Sequence, residues 1–190
     1  MACVDQKLIV AKRALAIHEL VEIAKHPFKT FELIEKNLNV IPPGSRMVAY
    51  QIHERADGSG YPRGRTLAQT HPLARIAAVA DMYAALVAPR PHRPGLLPYY
   101  AIEKILADTK QGLFDPKAVR ALLQTVGLFP IGSFVEFNNA EYIGRVIRSN
   151  GAQFALPIVE VHRRSATRMA PSIVDLSQDA TLKIARPIAP

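Results

Sequence analysis

The sequence predicts a mainly α-helical protein that ends in a small antiparallel β unit. Three observations carry that expectation. Apolar residues recur at helical spacing through residues 1–128, the pattern turns to short β-branched and aromatic runs after Gly127, and asparagine-bearing turn signals separate those runs. The expected division is a helical domain over 1–128 and a β subdomain over 129–190.

The first helix is expected over residues 7–25, where Leu8, Leu15, Leu20 and Ile23 share a face widened by Ile9, Val10 and Ile17. His26-Pro27 interrupts it, because proline disfavours a helical residue before it and suits the first turn of a new helix. A second helix follows over 27–37, with Phe28, Phe31, Leu33 and Ile34 turned inward. Ile41-Pro42-Pro43-Gly44 reads as a connection, and Ser45 as the cap of a helix over 46–55. Residues 73–87 are apolar apart from Arg75 and Asp81, which predicts a buried helix. Pro89, Pro91 and Pro94 exclude regular structure after it. Two more helices are expected over 98–107 and 115–126, the second opening with Asp115 as its cap and Pro116 in its first turn. Strands are expected at 134–137, 142–147, 154–161 and 181–184, with turns at Asn138-Asn139 and Asn150-Gly151.

Composition narrows the function classes. The 190 residues are 49% hydrophobic and 21% charged, and no apolar run reaches the roughly 18 residues that would suggest a membrane span. The first residues include Asp5 and no apolar signal core, and the single Cys3 has no internal disulfide partner. A cytoplasmic protein is the expectation, with Cys3 incidental. A formal charge of +8 suits an anionic partner such as a nucleotide, a nucleic acid or an acidic protein surface, or simply a solvated basic surface. Tryptophan is absent and aromatics are 7%, with no basic stretch interleaved with stacking residues, so no DNA partner is expected.

The run from His53 to Gly64 carries the chemistry: His53-Glu54-Arg55-Ala56-Asp57-Gly58-Ser59-Gly60-Tyr61-Pro62-Arg63-Gly64. Asp-Gly and Ser-Gly pairs explain the turn, but not why a histidine and a glutamate lead into it. The string resembles the HHExxDGSGYPxG signature of the HD-GYP family, bacterial metal-dependent phosphodiesterases of cyclic di-GMP. Upstream, Leu15, Glu19, Ile23 and His26-Pro27 resemble the family's LTxxExxxIxxHP. Downstream, Arg75-Ile76-Ala77-Ala78-Val79-Ala80-Asp81 and Arg90-Pro91-His92-Arg93 resemble RIlavaD and RPYR. Phe114-Asp115-Pro116 and residues 130–136 continue the match in order.

The resemblance implies an HD-domain-like helical bundle and a site for a divalent metal, manganese or iron, with His26, His53 and Asp81 as the matching ligands. Glu54 would coordinate or stand behind them. Asp57, Gly58, Gly60, Tyr61 and Pro62 would form a loop that flanks the substrate, cyclic di-GMP or a related nucleotide, and serves in contacts with protein partners. Arg90 and Arg93 would grip phosphates. Read without the resemblance, His26 could cap a helix, Asp81 could pair with Arg75, Tyr61 could pack a turn, and the two arginines could be solvated.

The departures matter as much. Ile52 stands where the family has the first histidine of its pair, and Ala84 where it has a second aspartate. The family's His-Asp pair and lysine lie upstream of the segment matched by Leu15, and residues 1–14 contain no histidine and only Asp5 as a carboxylate. The implied reading is a degenerate HD-GYP signalling domain with sub-stoichiometric metal and weak or no hydrolysis. The alternative is an active phosphodiesterase whose HD segment lies upstream.

Overall fold

The computed structural model describes residues 4–165 and 170–189, so Cys3 lies outside the described residues. A short α1 (Gln6–Ile9) is capped by Asp5, whose Oδ1 accepts the Lys7 N–H at 2.9 Å. The long helix expected over 7–25 is in fact two, because α2 (Ile17–Ala24) starts afresh. Glu19, in its first turn, reaches back to accept the Ala16 N–H at 2.8 Å and grips Arg13 through both carboxylate oxygens at 2.7 Å. That carboxylate fixes a start where apolar spacing alone runs on.

α3 (His26–Glu35) has Pro27 in its first turn. α4 (Pro43–Gln51) begins on Pro43, not at Ser45, since proline is already set for a first helical turn and has no N–H to leave unpaired. α5 (Pro72–Val87) is capped by the ring of His71, whose Nδ1 accepts the Leu73 N–H at 3.2 Å. Its expected burial holds on one side only. Ala74, Ala78 and Val79 are buried, whereas Leu73 and Ile76 are 51% and 52% exposed. An all-apolar helix does not itself say which face its neighbours cover. α6 (Pro98–Lys110) and α7 (Pro116–Val126) follow, and Asp115 accepts the Lys117 N–H at 2.9 Å as α7 opens.

The β unit is one antiparallel five-stranded sheet of order β4-β3-β2-β1-β5. Its strands are β1 (Phe134–Phe137), β2 (Tyr142–Arg148), β3 (Ile158–Arg163), β4 (Ser172–Asp175) and β5 (Ile184–Ile188). Alternation sends Val135, Phe137, Val146, Val159 and Val161 into one core with Phe129 and Leu176. Gly144 is required there, since a Cβ would stand 2.8 Å from the Phe137 ring. The third strand begins after Pro157, later than expected, and β4 was not anticipated. The last strand falls at 184–188, not 181–184, because Asp179 captures the Thr181 and Leu182 N–H groups in a turn at 2.8 and 3.2 Å. Pro187 is tolerated because β5 is an edge strand.

The chain forms two compact units, Met1–Gly95 with Ile105–Val119, and Leu96–Lys104 with Arg120–Pro190. Among the described residues, no helix is long and apolar enough to cross a membrane.

Candidate functional site

α3 and α4 run side by side, and α4 packs on α5, so the first residue of α3, the turn after α4 and the middle of α5 meet. His26, His53 and Asp81 occupy those three places. His26 Nε2 lies 3.0 Å from His53 Nε2, and His53 Nδ1 lies 3.8 Å from Asp81 Oδ2. Arg75, the other candidate partner for Asp81, is committed elsewhere: it pairs with Asp115 at 3.4 Å and donates to the Thr70 carbonyl at 2.8 Å.

The hydrogen-bond order follows from chemistry. The Ile23 carbonyl, 2.7 Å from His26 Nδ1, can only accept, so Nδ1 carries the hydrogen. In the neutral ring Nε2 is then the acceptor, and His53 Nε2–H donates to it. That leaves His53 Nδ1 as a bare lone pair facing a carboxylate. Burial holds the His53 pKa down to about 4, the His26 imidazole beside it pushes the same way, and Asp81 opposes both. Tyr61 stacks on His53 with ring centroids 4.8 Å apart and planes 21° apart, and meets His26 edge-on at 6.2 Å. Burial raises the pKa of the Tyr61 phenol.

These groups open onto a cleft of about 700 Å³, whose other walls include Arg13, Leu20, Ile23, Arg90 and His92. Arg13 and His92 were not anticipated. Arg13 precedes α2 in a segment expected to be helical, and only its clasp on Glu19 brings it to the rim. His92 matches the tyrosine of RPYR, so the resemblance gave it no role.

Glu54 belongs to a different part of the structure. It is 3% exposed, and its Oε1 and Oε2 accept the backbone N–H groups of Arg63 and Arg65 at 2.9 and 2.8 Å. Both oxygens are thereby committed to the loop, and Glu54 is not among the residues that line the cleft. The loop is closed at several other points. Asp57 Oδ1 accepts from the Ser59 N–H and hydroxyl at 2.9 and 2.7 Å. Gly58 and Gly64 have φ of 86° and 65°, where a side chain would be strained. Gly60 lies against the backbone of His53, Glu54 and Arg55, and a Cβ there would stand 2.6 Å from the Glu54 carbonyl carbon. The Tyr61 N–H donates to the His53 carbonyl at 3.2 Å, and the Tyr61–Pro62 peptide is cis.

The two arginines of the phosphate expectation part company. Arg90 lines the cleft. Arg93 does not: its guanidinium donates to the carbonyls of Ala85, Leu86 and Pro94 at 2.6, 3.2 and 3.1 Å. It caps the end of α5, where a cation meets unpaired carbonyls and the negative end of the helix dipole.

Residues 6–118, more than half of the chain, match the HD domain family. The chain belongs to that family. Its HD-GYP character rests on the His53–Gly64 run and on the relatives. It is 35% identical over 133 residues to the cyclic di-GMP phosphodiesterase PA4108 of Pseudomonas aeruginosa, covering 69% of this chain and 31% of that protein. It is 34% identical over 122 residues to the cyclic di-GMP phosphodiesterase response regulator RpfG of Xanthomonas campestris pv. campestris, covering 64% and 32%. Both are about three times the matched length, so the chain spans about a third of each. In fold it resembles Bd1817, a HDG"Y"P protein from Bdellovibrio bacteriovorus, with a TM-score of 0.50 over 64% of this chain and 37% of that one, at 18% identity.

The donor set does not fit the metal cluster that the family implies. Among the described residues, no group of three or more histidine, cysteine, aspartate or glutamate side chains is arranged to hold an ion. His53 faces its two neighbours with different ring nitrogens, so His26 and Asp81 do not converge with it on one point. Two imidazoles and one carboxylate do not fit a bridged two-metal centre, which needs separate donors for ions about 3.5–4 Å apart.

Proposed function

We propose that this chain is a cyclic di-GMP signalling domain of HD-GYP type whose metal site is incomplete, and that by itself it hydrolyses the cyclic dinucleotide weakly or not at all. The observation that carries the reading is the His26–His53–Asp81 contact at the mouth of the cleft: it retains the family's positions yet offers donors for one ion at most. Because His53 turns different ring nitrogens to His26 and Asp81, the set does not fit a tightly held manganese or iron ion, and any occupancy is expected to be sub-stoichiometric.

The chain's own residues support binding more than chemistry. Arg90, on the cleft wall, is placed for a phosphate oxygen, and Tyr61 fixes the plane of the His53 ring. The Asp57–Pro62 loop, held from beneath by Glu54, stands beside the cleft as a rigid surface for the nucleotide or for a protein partner. A second reading is favoured by one observation, that the matched segment is only about a third of each relative's length. It takes this chain as the C-terminal part of an active phosphodiesterase, with the remaining ligands upstream.

The test is a time course with the purified chain, manganese and cyclic di-GMP, following the linear dinucleotide by chromatography beside an intact HD-GYP phosphodiesterase. Turnover at least about a hundredfold below the control is expected, since loss of even one preorganised electrostatic group costs about 10²–10³ in rate. Turnover equal to the control would overturn the proposal.

A further inference from the structure

A second hollow, of about 520 Å³, lies between α3, α4 and the end of the glycine loop. It is lined by Phe28, Phe31, Met47, Tyr50, Gln51, Arg63 and Arg65, none of which lines the histidine cleft. Its walls are aromatic. Tyr50 meets Phe28 edge-on at 5.6 Å and Phe31 at 5.3 Å, yet Phe28 and Met47 stay 38% and 37% exposed.

Its rim is cationic. Arg63 stacks over Phe28 at 5.5 Å and donates through Nε to the Tyr50 hydroxyl at 3.0 Å, which holds its guanidinium in place. Among the described residues, the Arg65 guanidinium has one contact, to the Gln69 carbonyl at 3.4 Å. No carboxylate lines the hollow, and Glu54 beneath is spent on backbone N–H groups. Its deepest residue is Gln51, 1% exposed. Gln51 Oε1 accepts the His71 N–H at 2.8 Å, and Nε2 has no partner among the described residues.

We infer that this hollow binds a flat heteroaromatic ring carrying an anionic group, of the nucleoside monophosphate class. The ring slides along Phe28 and Tyr50, and the phosphate meets Arg63 and Arg65. The volume is within the range of small-ligand sites, and stacking on aromatic faces beside arginine is a base-tolerant mode of recognition. This inference stands apart from the proposed function, because it needs neither a metal nor the histidines.

The experiment labels the methionine methyl groups with carbon-13 and follows the Met47 signal, identified by Met47→Leu, during titration with guanosine and adenosine 5′-monophosphates. Guanosine and inorganic phosphate serve as separate half-ligands. The expected result is a ring-current shift of Met47 with either nucleotide, at least about tenfold weaker binding of each half-ligand, and about tenfold weaker nucleotide binding in Arg63→Gln, a surface change that leaves the fold intact. His53→Ala should leave the affinity unchanged. Binding lost in His53→Ala but kept in Arg63→Gln would assign the nucleotide to the cleft and overturn the inference. So would an unmoved Met47 signal at millimolar nucleotide, or phosphate binding as tightly as the nucleotide.

Discussion

Replacing Glu54 by glutamine should loosen the loop without touching the cleft walls. The wild-type carboxylate, 3% exposed, accepts two backbone N–H groups at 2.9 and 2.8 Å. Hydrogen bonds to a charged acceptor each contribute about 1.5–3 kcal/mol. Glutamine keeps one acceptor oxygen but presents its NH₂ to the other N–H, so one bond is lost and two donors confront each other. The net local cost is about 2–4 kcal/mol. At about 1.4 kcal/mol per factor of ten, amide hydrogen exchange at Arg63 and Arg65 should accelerate roughly thirtyfold to several hundredfold. Amides in the β-sheet, such as Val146 and Val159, serve as internal controls and should keep their rates. Unchanged exchange at Arg63 and Arg65, accompanied by loss of metal, would refute the assignment of Glu54 to the loop and make it a ligand.

Gly60→Ala should be poorly tolerated, because its Cβ would meet main chain at His53, Glu54 and Arg55, where nothing flexible can yield; a loss of about 2–4 kcal/mol in chemical denaturation is expected, and a wild-type midpoint would contradict it. After incubation with manganese or iron and removal of excess, elemental analysis should find about one ion per chain or fewer, and His53→Ala should remove it; two or three retained ions would show donors other than those described here. In metal-free protein, acid should destabilise the fold through His53. Its folded pKa of about 4 lies below the ordinary 6.5, so the unfolded chain takes up the proton first. The stability from the neutral ring is complete above about pH 6.5 and is lost as pH falls through about 4, a dependence that His53→Ala should flatten.

Much of this was legible because local chemistry and packing agree. Pro27 and Pro116 mark helix starts, and the Asp57-Gly58 and Ser59-Gly60 pairs mark the loop. The proximity of His53 to Asp81 was expected from the family resemblance, which matches both positions to one site, whereas the partner that Asp81 would want in a buried helix was as readily Arg75. Other features depend on partners remote in sequence or on competing local bonds. The break between α1 and α2 comes from a clasp between Arg13 and Glu19 that apolar spacing does not register. Glu54 beside His53 looked like a ligand or its support, and only the path of the loop shows its carboxylate filled by Arg63 and Arg65. Arg93 looked equivalent to Arg90 until the end of α5 claimed it. β4 lacks any mark in its own residues beyond Ile173 and Val174, and exists because β3 offers it an edge.

The adjacency of His53 and Glu54 has a bearing on how such a domain can age. One residue serves the cleft, and the next secures the turn through the main-chain N–H groups of Arg63 and Arg65. Exchanges among the would-be ligands, such as the isoleucine at 52 and the alanine at 84, therefore leave the glycine loop its anchor. A lineage could surrender catalysis one side chain at a time while the shape of the loop stays recognisable to whatever reads it.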